Sequence, residues 1–193
     1  MRKILNTKKL YEWQEKIDKE LAQQVCAGGC DHCKGVLHRG DYARKPRGVK
    51  DGEDEIRHWD KRASFCCDQD GCRKRHTPPS VRFLGRKVYA GIVVVLVAAM
   101  MHGPNGRRIA VLHEELGIDK RTLLRWRQWF LEVFVHTPFW KANRARFMPV
   151  LNEAVMPYCL VESFNAEGRE GVIKLMEFLS PITTTSGKGV VAM

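Results

Sequence analysis

Apolar residues recur at Leu10, Trp13, Ile17 and Leu21 with charged residues between them, the three-and-four spacing of a helix that buries one face. This spacing predicts an N-terminal helix within residues 1–25. From Cys26 to Val81 the helical period disappears. Glycine, cysteine and histidine take over, with short strand-like pieces at Gly35-Val36-Leu37-His38 and Ala63-Ser64-Phe65-Cys66-Cys67. A polar, breaker-rich loop from Lys45 to Asp54 separates them. Thr77-Pro78-Pro79-Ser80 is expected to close this ribbon, because adjacent prolines cannot continue a strand ladder.

Helical patterning then returns. Val88 to His102 is expected to be a buried helix ended by Gly103-Pro104-Asn105-Gly106, and Arg107 to Leu116 a second. Asp119 caps a third that runs to about Val135, and Thr137-Pro138 supplies a cap and first-turn proline for a fourth. Shorter helices broken at Pro149 and Pro157 lead to a last one around Glu170 to Leu179. The expected fold is therefore α-rich (α+β): a small zinc-ribbon β element, residues 26–81, joined to a helical domain over 82–136 that contains a helix-turn-helix. C-terminal helices over 137–181 follow, and the aperiodic tail 182–193 is expected to be disordered.

Charge adds a partner class to this picture. In 193 residues, 33 lysines and arginines face 22 aspartates and glutamates, a formal charge of +11. Between Asp70 and Glu114 there is no acidic residue, while Arg73, Lys74, Arg75, Arg82, Arg86, Lys87, Arg107 and Arg108 all occur. A long acid-free basic stretch is the electrostatic footprint of a protein that meets a polyanion. The longest apolar run, Ala90 to Met101, is too short for a membrane span of about 20 residues. The seven cysteines are an odd number and the N-terminus turns polar at once, so a reducing, cytoplasmic setting is expected, in which paired cysteines serve metals.

Cys30-x2-Cys33 and Cys67-x4-Cys72 have the spacing of two metal knuckles. Four thiolates from two turns make a closed tetrahedral site, the arrangement of a structural Zn²⁺ and not of a catalytic one with an open position. Gly71 would accommodate the longer second gap. Cys66 and Cys67 compete for one place. Strand alternation puts the ligand in phase with an inward Phe65, which favours Cys67 and leaves Cys66 to pack as a small buried hydrophobe. Cys26, His32, His38 and His76 are alternative ligands, and Cys159 fits a core thiol.

Around Gly117, Leu112, Leu116-Gly117-Ile118, Thr122-Leu123 and Trp126 have the pattern of a helix-turn-helix. On its second helix Leu123, Trp126, Phe130, Leu131 and Phe134 form the inward stripe. Arg121, Arg125 and Gln128 share another face, suited to guanine and adenine edges, with Lys120, Arg107 and Arg108 placed to hold phosphates. Arg73, Lys74 and Arg75 would do the same from the ribbon.

Cys30, Cys33 and Gly35, then Phe65, Cys67, Cys72, Arg73, Arg75 and Thr77, then Leu116-Gly117-Ile118 and Thr122-Leu123 together resemble the zinc-ribbon and helix-turn-helix region of bacterial insertion-sequence transposases. They also resemble small stand-alone mobile-element proteins with those two modules. The resemblance spans Gly28 to Val135. It implies double-stranded DNA as partner and, beside it, a separate recombinase or transposase. It does not imply strand transfer, because residues 135–193 contain glutamates but no aspartate and no alternating strand pattern for a nuclease sheet. No serine nucleophile elbow and no phosphate-binding glycine loop is present either, so a non-enzymatic role is expected. A transcriptional regulator, or an interaction module that docks a recombinase, would share these features.

Overall fold

The computed structural model describes residues 8–44, 61–84, 89–90, 109–110, 113, 119–166 and 168–184. The first element is helix α1, Lys8–Gly28, 21 residues and so about 32 Å long. It runs three residues beyond the expected end and takes Cys26 with it. Its two halves serve different cores. Trp13 and Ile17 pack on the C-terminal helices, whereas Ala22 and Val25 pack on the cysteine ribbon. One helix therefore joins the two parts of the molecule, through different faces.

The ribbon is a three-stranded antiparallel sheet of β1 (Leu37–Arg39), β4 (Phe65–Cys67) and β5 (Arg75–His76), in the order β1-β4-β5. Leu37 pairs with Cys67 and Cys66 with Arg75. Beside it lies the short pair β2 (Tyr42–Ala43) and β3 (Lys61–Arg62). The expected loop from Lys45 to Asp54 lies outside the described residues.

The ribbon sheet ends at His76, just before Thr77-Pro78-Pro79-Ser80, as expected. One expectation changes after it: the chain does not turn helical at once, because a separate strand β6 (Phe83–Leu84) follows and pairs with β7 (Tyr89–Ala90). The helix expected from Val88 therefore cannot begin there. A β-branched apolar run fits a buried strand as well as a buried helix, and periodicity alone does not separate them. Residues 91–102 of that helix lie outside the described residues. So do Arg107, Arg108, Leu112 and the Leu116-Gly117-Ile118 turn of the expected helix-turn-helix, although Ile109, Ala110 and His113 are helical.

The caps act as their chemistry dictates. Asp119 opens α2 (Lys120–Glu132) by accepting from the Thr122 N–H at 2.8 Å, and Thr137 opens α3 (Pro138–Asn143) by accepting from the Trp140 N–H at 3.1 Å. Helices α4 (Tyr158–Ser163) and α5 (Arg169–Leu179) complete the helical core. Leu123, Phe130 and Phe134 from the predicted inward stripe are fully buried, while Trp126 and Leu131 are half-buried. Phe130, Phe134, Trp140, Met156, Leu160 and Leu175 make the centre of the core, and Cys159 is buried beside Met156 as a core thiol.

Order also extends into the expected tail. A 3₁₀ turn covers Ser180–Thr183, and Thr183 is buried, its hydroxyl accepting from the Ser80 N–H at 2.9 Å. Among the described residues no helix is long and apolar enough to cross a membrane.

Candidate metal centre and the basic surfaces beside it

Each cysteine pair sits in a turn whose backbone is bent for it. In the first, the Lys34 N–H donates to the Cys30 carbonyl at 2.8 Å and the Cys30 N–H to the Gly35 carbonyl at 2.9 Å. In the second, the N–H groups of Cys72 and Arg73 both donate to the Gln69 carbonyl, at 3.1 and 3.2 Å. The residue after each pair, Lys34 (φ 61°) or Arg73 (φ 43°), adopts the left-handed conformation, which costs a side-chain-bearing residue roughly 1–2 kcal/mol. Gly71 (φ 85°) takes up the additional bend that the longer second gap needs.

These turns bring Cys30, Cys33, Cys67 and Cys72 together, with all four sulfurs within 4.8 Å of one another. Cys33 and Cys67 are 3.3 Å apart at Sγ, and Cys30 and Cys72 are 3.7 Å apart. A regular tetrahedron with metal–sulfur bonds of about 2.3 Å would separate its sulfurs by about 3.8 Å. The four residues predicted from spacing thus form a cluster of the size and donor type that a metal ion requires.

Within the cluster the surroundings favour a thiolate at Cys30. Burial pushes the Cys30 thiol up, but the backbone N–H groups of Cys33 and His32, with His76 and the Cys33 side chain, bring it down to about 5. At Cys67 burial prevails over the Gln69 N–H and, with the neighbouring thiols, raises it to about 12. Cys72 is helped by the Lys74 N–H, yet burial and the Cys33 and Cys30 sulfurs leave it raised. One negative sulfur is stable in this cluster, and further ones repel it until a cation arrives.

The competing ligands separate clearly. Cys67 is buried in the cluster, as strand alternation requires. Cys66 faces the other way, but not into a core: it is half-exposed, with its thiol 3.5 Å from the Arg73 carbonyl. Its cross-strand neighbours His38 and Arg75 are both exposed, so among the described residues no layer packs on this face of the small sheet. Cys26 is exposed and its thiol points at the Leu37 carbonyl, 3.6 Å away. Among the described residues His76 is the histidine whose ring contacts the cluster, its Nε2 3.2 Å from Cys30 Sγ and its Nδ1 3.5 Å from an Asp31 carboxylate oxygen. It orients a ligand sulfur from outside the set of four. His32 instead meets Lys74 Nζ at 3.0 Å, and His38 lies 3.7 Å from Asp68.

Gly35 is where the two turns touch. A Cβ there would lie 2.4 Å from Gln69 Cγ and 3.2 Å from Cys67 Sγ. Gly35→Ala is therefore expected to weaken metal binding roughly tenfold, in line with other disturbances just outside a ligand set. Gly40→Ala is the control, since nothing lies within 4 Å of its added carbon. Competition with a chromogenic chelator reads both; equal affinities would contradict the close approach.

Arg73, Lys74 and Arg75 are exposed as the chain leaves the cluster, with Arg73 also paired to Asp70. On α2, Lys120, Arg121, Arg125 and Gln128 are exposed or half-exposed, Arg125 donating to the Thr122 hydroxyl at 3.2 Å and Gln128 to Glu132 at 3.0 Å. Exposed Leu124 lies among them.

A buried polar node carries no signature in the sequence. Asp18 of α1, only 4 % exposed, accepts from Ser80 Oγ at 2.6 Å, the Val81 N–H at 2.7 Å and Arg82 Nε at 2.8 Å. Arg62, also buried, donates to the Pro78 carbonyl at 2.6 Å and reaches the Thr183 carbonyl at 3.5 Å. No local pattern marks Asp18, because its partners lie more than sixty residues away.

Comparison with protein-family models, with curated proteins and with solved structures finds no match to this chain.

Proposed function

We propose that this chain is a DNA-binding protein in which a structural Zn²⁺, held by Cys30, Cys33, Cys67 and Cys72, fixes a basic ribbon beside a basic helix. The observation that carries this reading is the exposed run Arg73-Lys74-Arg75, which leaves the four-thiol cluster directly and is set in place by it. Zinc is preferred because a closed set of four thiolates suits a d¹⁰ ion with no geometric demand beyond the tetrahedron. Arg73, Lys74, Arg75, Lys120 and, from outside the described residues, Arg107 and Arg108 would hold phosphates. Arg121, Arg125 and Gln128 would read base edges, and Leu124 offers an apolar contact to a thymine methyl. The resemblance over residues 28–135 favours a mobile-element setting, with the chain an accessory factor or a transposase without its catalytic domain, working beside a separate recombinase.

Fluorescence anisotropy with duplex DNA across a salt series tests the reading. If Arg73, Lys74, Arg75, Lys120, Arg107 and Arg108 each neutralise one phosphate, log K against log salt should have a slope of roughly −5. Affinity should then fall on the order of 10³-fold between about 50 and 200 mM salt. Affinity that ignores salt would overturn the proposal and leave the chain as a protein-docking module.

A further inference from the structure

The most exposed large apolar side chains among the described residues are Met148 (87 %) and Val150 (76 %), which flank Pro149 at one tip of the helical core. The tip is firmly based. The ring of the preceding Phe147 lies 5.7 Å from Trp140, 5.8 Å from Phe164 and 5.4 Å from Phe178. Its N–H donates to the Arg144 carbonyl at 3.3 Å. Two apolar side chains are thus pushed into solvent on an aromatic platform that cannot fold them back.

The surroundings are cationic. No acidic residue occurs between Glu132 and Glu153, while Lys141, Arg144 and Arg146 lie exposed just before the tip. Arg144 is 3.7 Å from Glu153, whose carboxylate also accepts from Trp140 Nε1 at 2.6 Å, and Arg146 donates to Asn143 at 3.1 Å. Along this stretch of chain the cations outnumber that one acid, so a positive excess remains.

We propose that Met148-Pro149-Val150 is a wedge that enters the minor groove of duplex DNA and partly unstacks one base step, with Arg144 and Arg146 on the flanking phosphates. The inference rests on the DNA-binding reading and adds a second contact to it. Size decides between occupants. A stable protein interface buries on the order of 1,200–2,000 Å², far beyond two side chains. A membrane anchor needs more apolar chain than a single myristoyl group, which binds only marginally. One or two apolar side chains are the size of wedge that kinks a duplex by roughly 20–90°. The same core carries α2 through Phe130, so a duplex held there meets a tip in fixed relation to it.

The experiment uses the full, metal-loaded chain with a duplex carrying end-attached dyes for energy transfer and 2-aminopurine within the bound site. The wild type is expected to shorten the end-to-end distance and to raise the 2-aminopurine fluorescence. Met148→Ser/Val150→Ser, which alters only exposed positions, should lose both signals and roughly tenfold in affinity while keeping the salt slope and the circular dichroism of the wild type. Duplex binding without bending or brightening, or equal bending by the variant, would overturn the wedge and leave the DNA reading standing. No duplex binding by the wild type would overturn both. Phosphatidylserine vesicles bound by the wild type and released by the variant, with duplex binding unchanged, would move the tip to a membrane surface and end the proposal.

Discussion

Removing the metal, or replacing Cys67 with serine, is expected to unfold the ribbon while the helical core stays folded. Among the described residues the ribbon's own core is small: Ala22, Cys30, Leu37, Phe65 and Cys67 are its buried apolar members, with Val25, Ala63 and Cys72 against them. Leu37 and Phe65 contribute about 1.5–3 kcal/mol each by burial. A structural tetrathiolate zinc contributes apparent binding energies of about 10–16 kcal/mol, and that energy is folding energy where no site exists in the unfolded chain. A bound metal of that kind would outweigh the packing, so its loss could not be absorbed. The left-handed turns at Lys34 and Arg73 lose their compensation at the same moment.

Hydrogen exchange resolved by peptide gives the measurement. After chelation, peptides over residues 30–44 and 61–76 should lose protection, and those over 123–140 and 158–179 should keep it. Protection near Val81 should also survive, because that segment is held by Asp18 and not by the thiols. Acid should act in the same direction as chelator. Cys67 binds its proton up to about pH 12 without metal, so uptake at neutral pH must displace that proton and affinity rises with pH. Unchanged exchange after chelation, with no metal found by elemental analysis, would remove the metal centre.

What could be read in the sequence was whatever is decided within a few residues. Asp119 and Thr137 announce their helices because a cap bonds to an N–H three positions on. The choice of Cys67 over Cys66 follows from the two-residue repeat of a strand, and the cluster of four from the spacing of two turns. The repeat said which way Cys66 points, but not that no described residue packs over that face. That Tyr89–Ala90 pairs as a strand with Phe83–Leu84 was not legible, because an apolar stretch carries no period that separates strand from helix. The double duty of α1 was hidden for another reason: Trp13 and Ala22 are nine residues apart, which at about 100° per residue sets them on opposite sides of the helix, and only the fold reveals that each side has its own partner.

Asp18 is the extreme case of such a long-range decision, and it carries the second large effect. Asp18→Asn in the metal-loaded protein should cost about 3–5 kcal/mol, the penalty for breaking a buried ion pair from one side. At about 2–4 °C per kcal/mol for a chain of this size, the melting temperature should fall by roughly 10 °C. The substitution keeps the shape and removes the charge. Arg82, with a side chain 11 % exposed, loses its carboxylate. Arg62, whose guanidinium is already pushed down by burial and sustained in part by Asp18, loses that supporting negative charge. An amide also has only one accepting oxygen for the Ser80 hydroxyl and the Val81 N–H, which now use both carboxylate oxygens. Arg82→Gln added to Asp18→Asn should restore part of the loss, since a neutral pair leaves one fewer buried cation. Glu15→Gln on the same helix breaks an exposed pair with Lys19, worth no more than about 1 kcal/mol, and should barely move the transition. Thermal unfolding followed by circular dichroism compares the three. A melting point for Asp18→Asn indistinguishable from that of Glu15→Gln would mean that the node is filled by packing alone, and that the tie between α1, the Pro78-Pro79 segment and Thr183 owes nothing to charge.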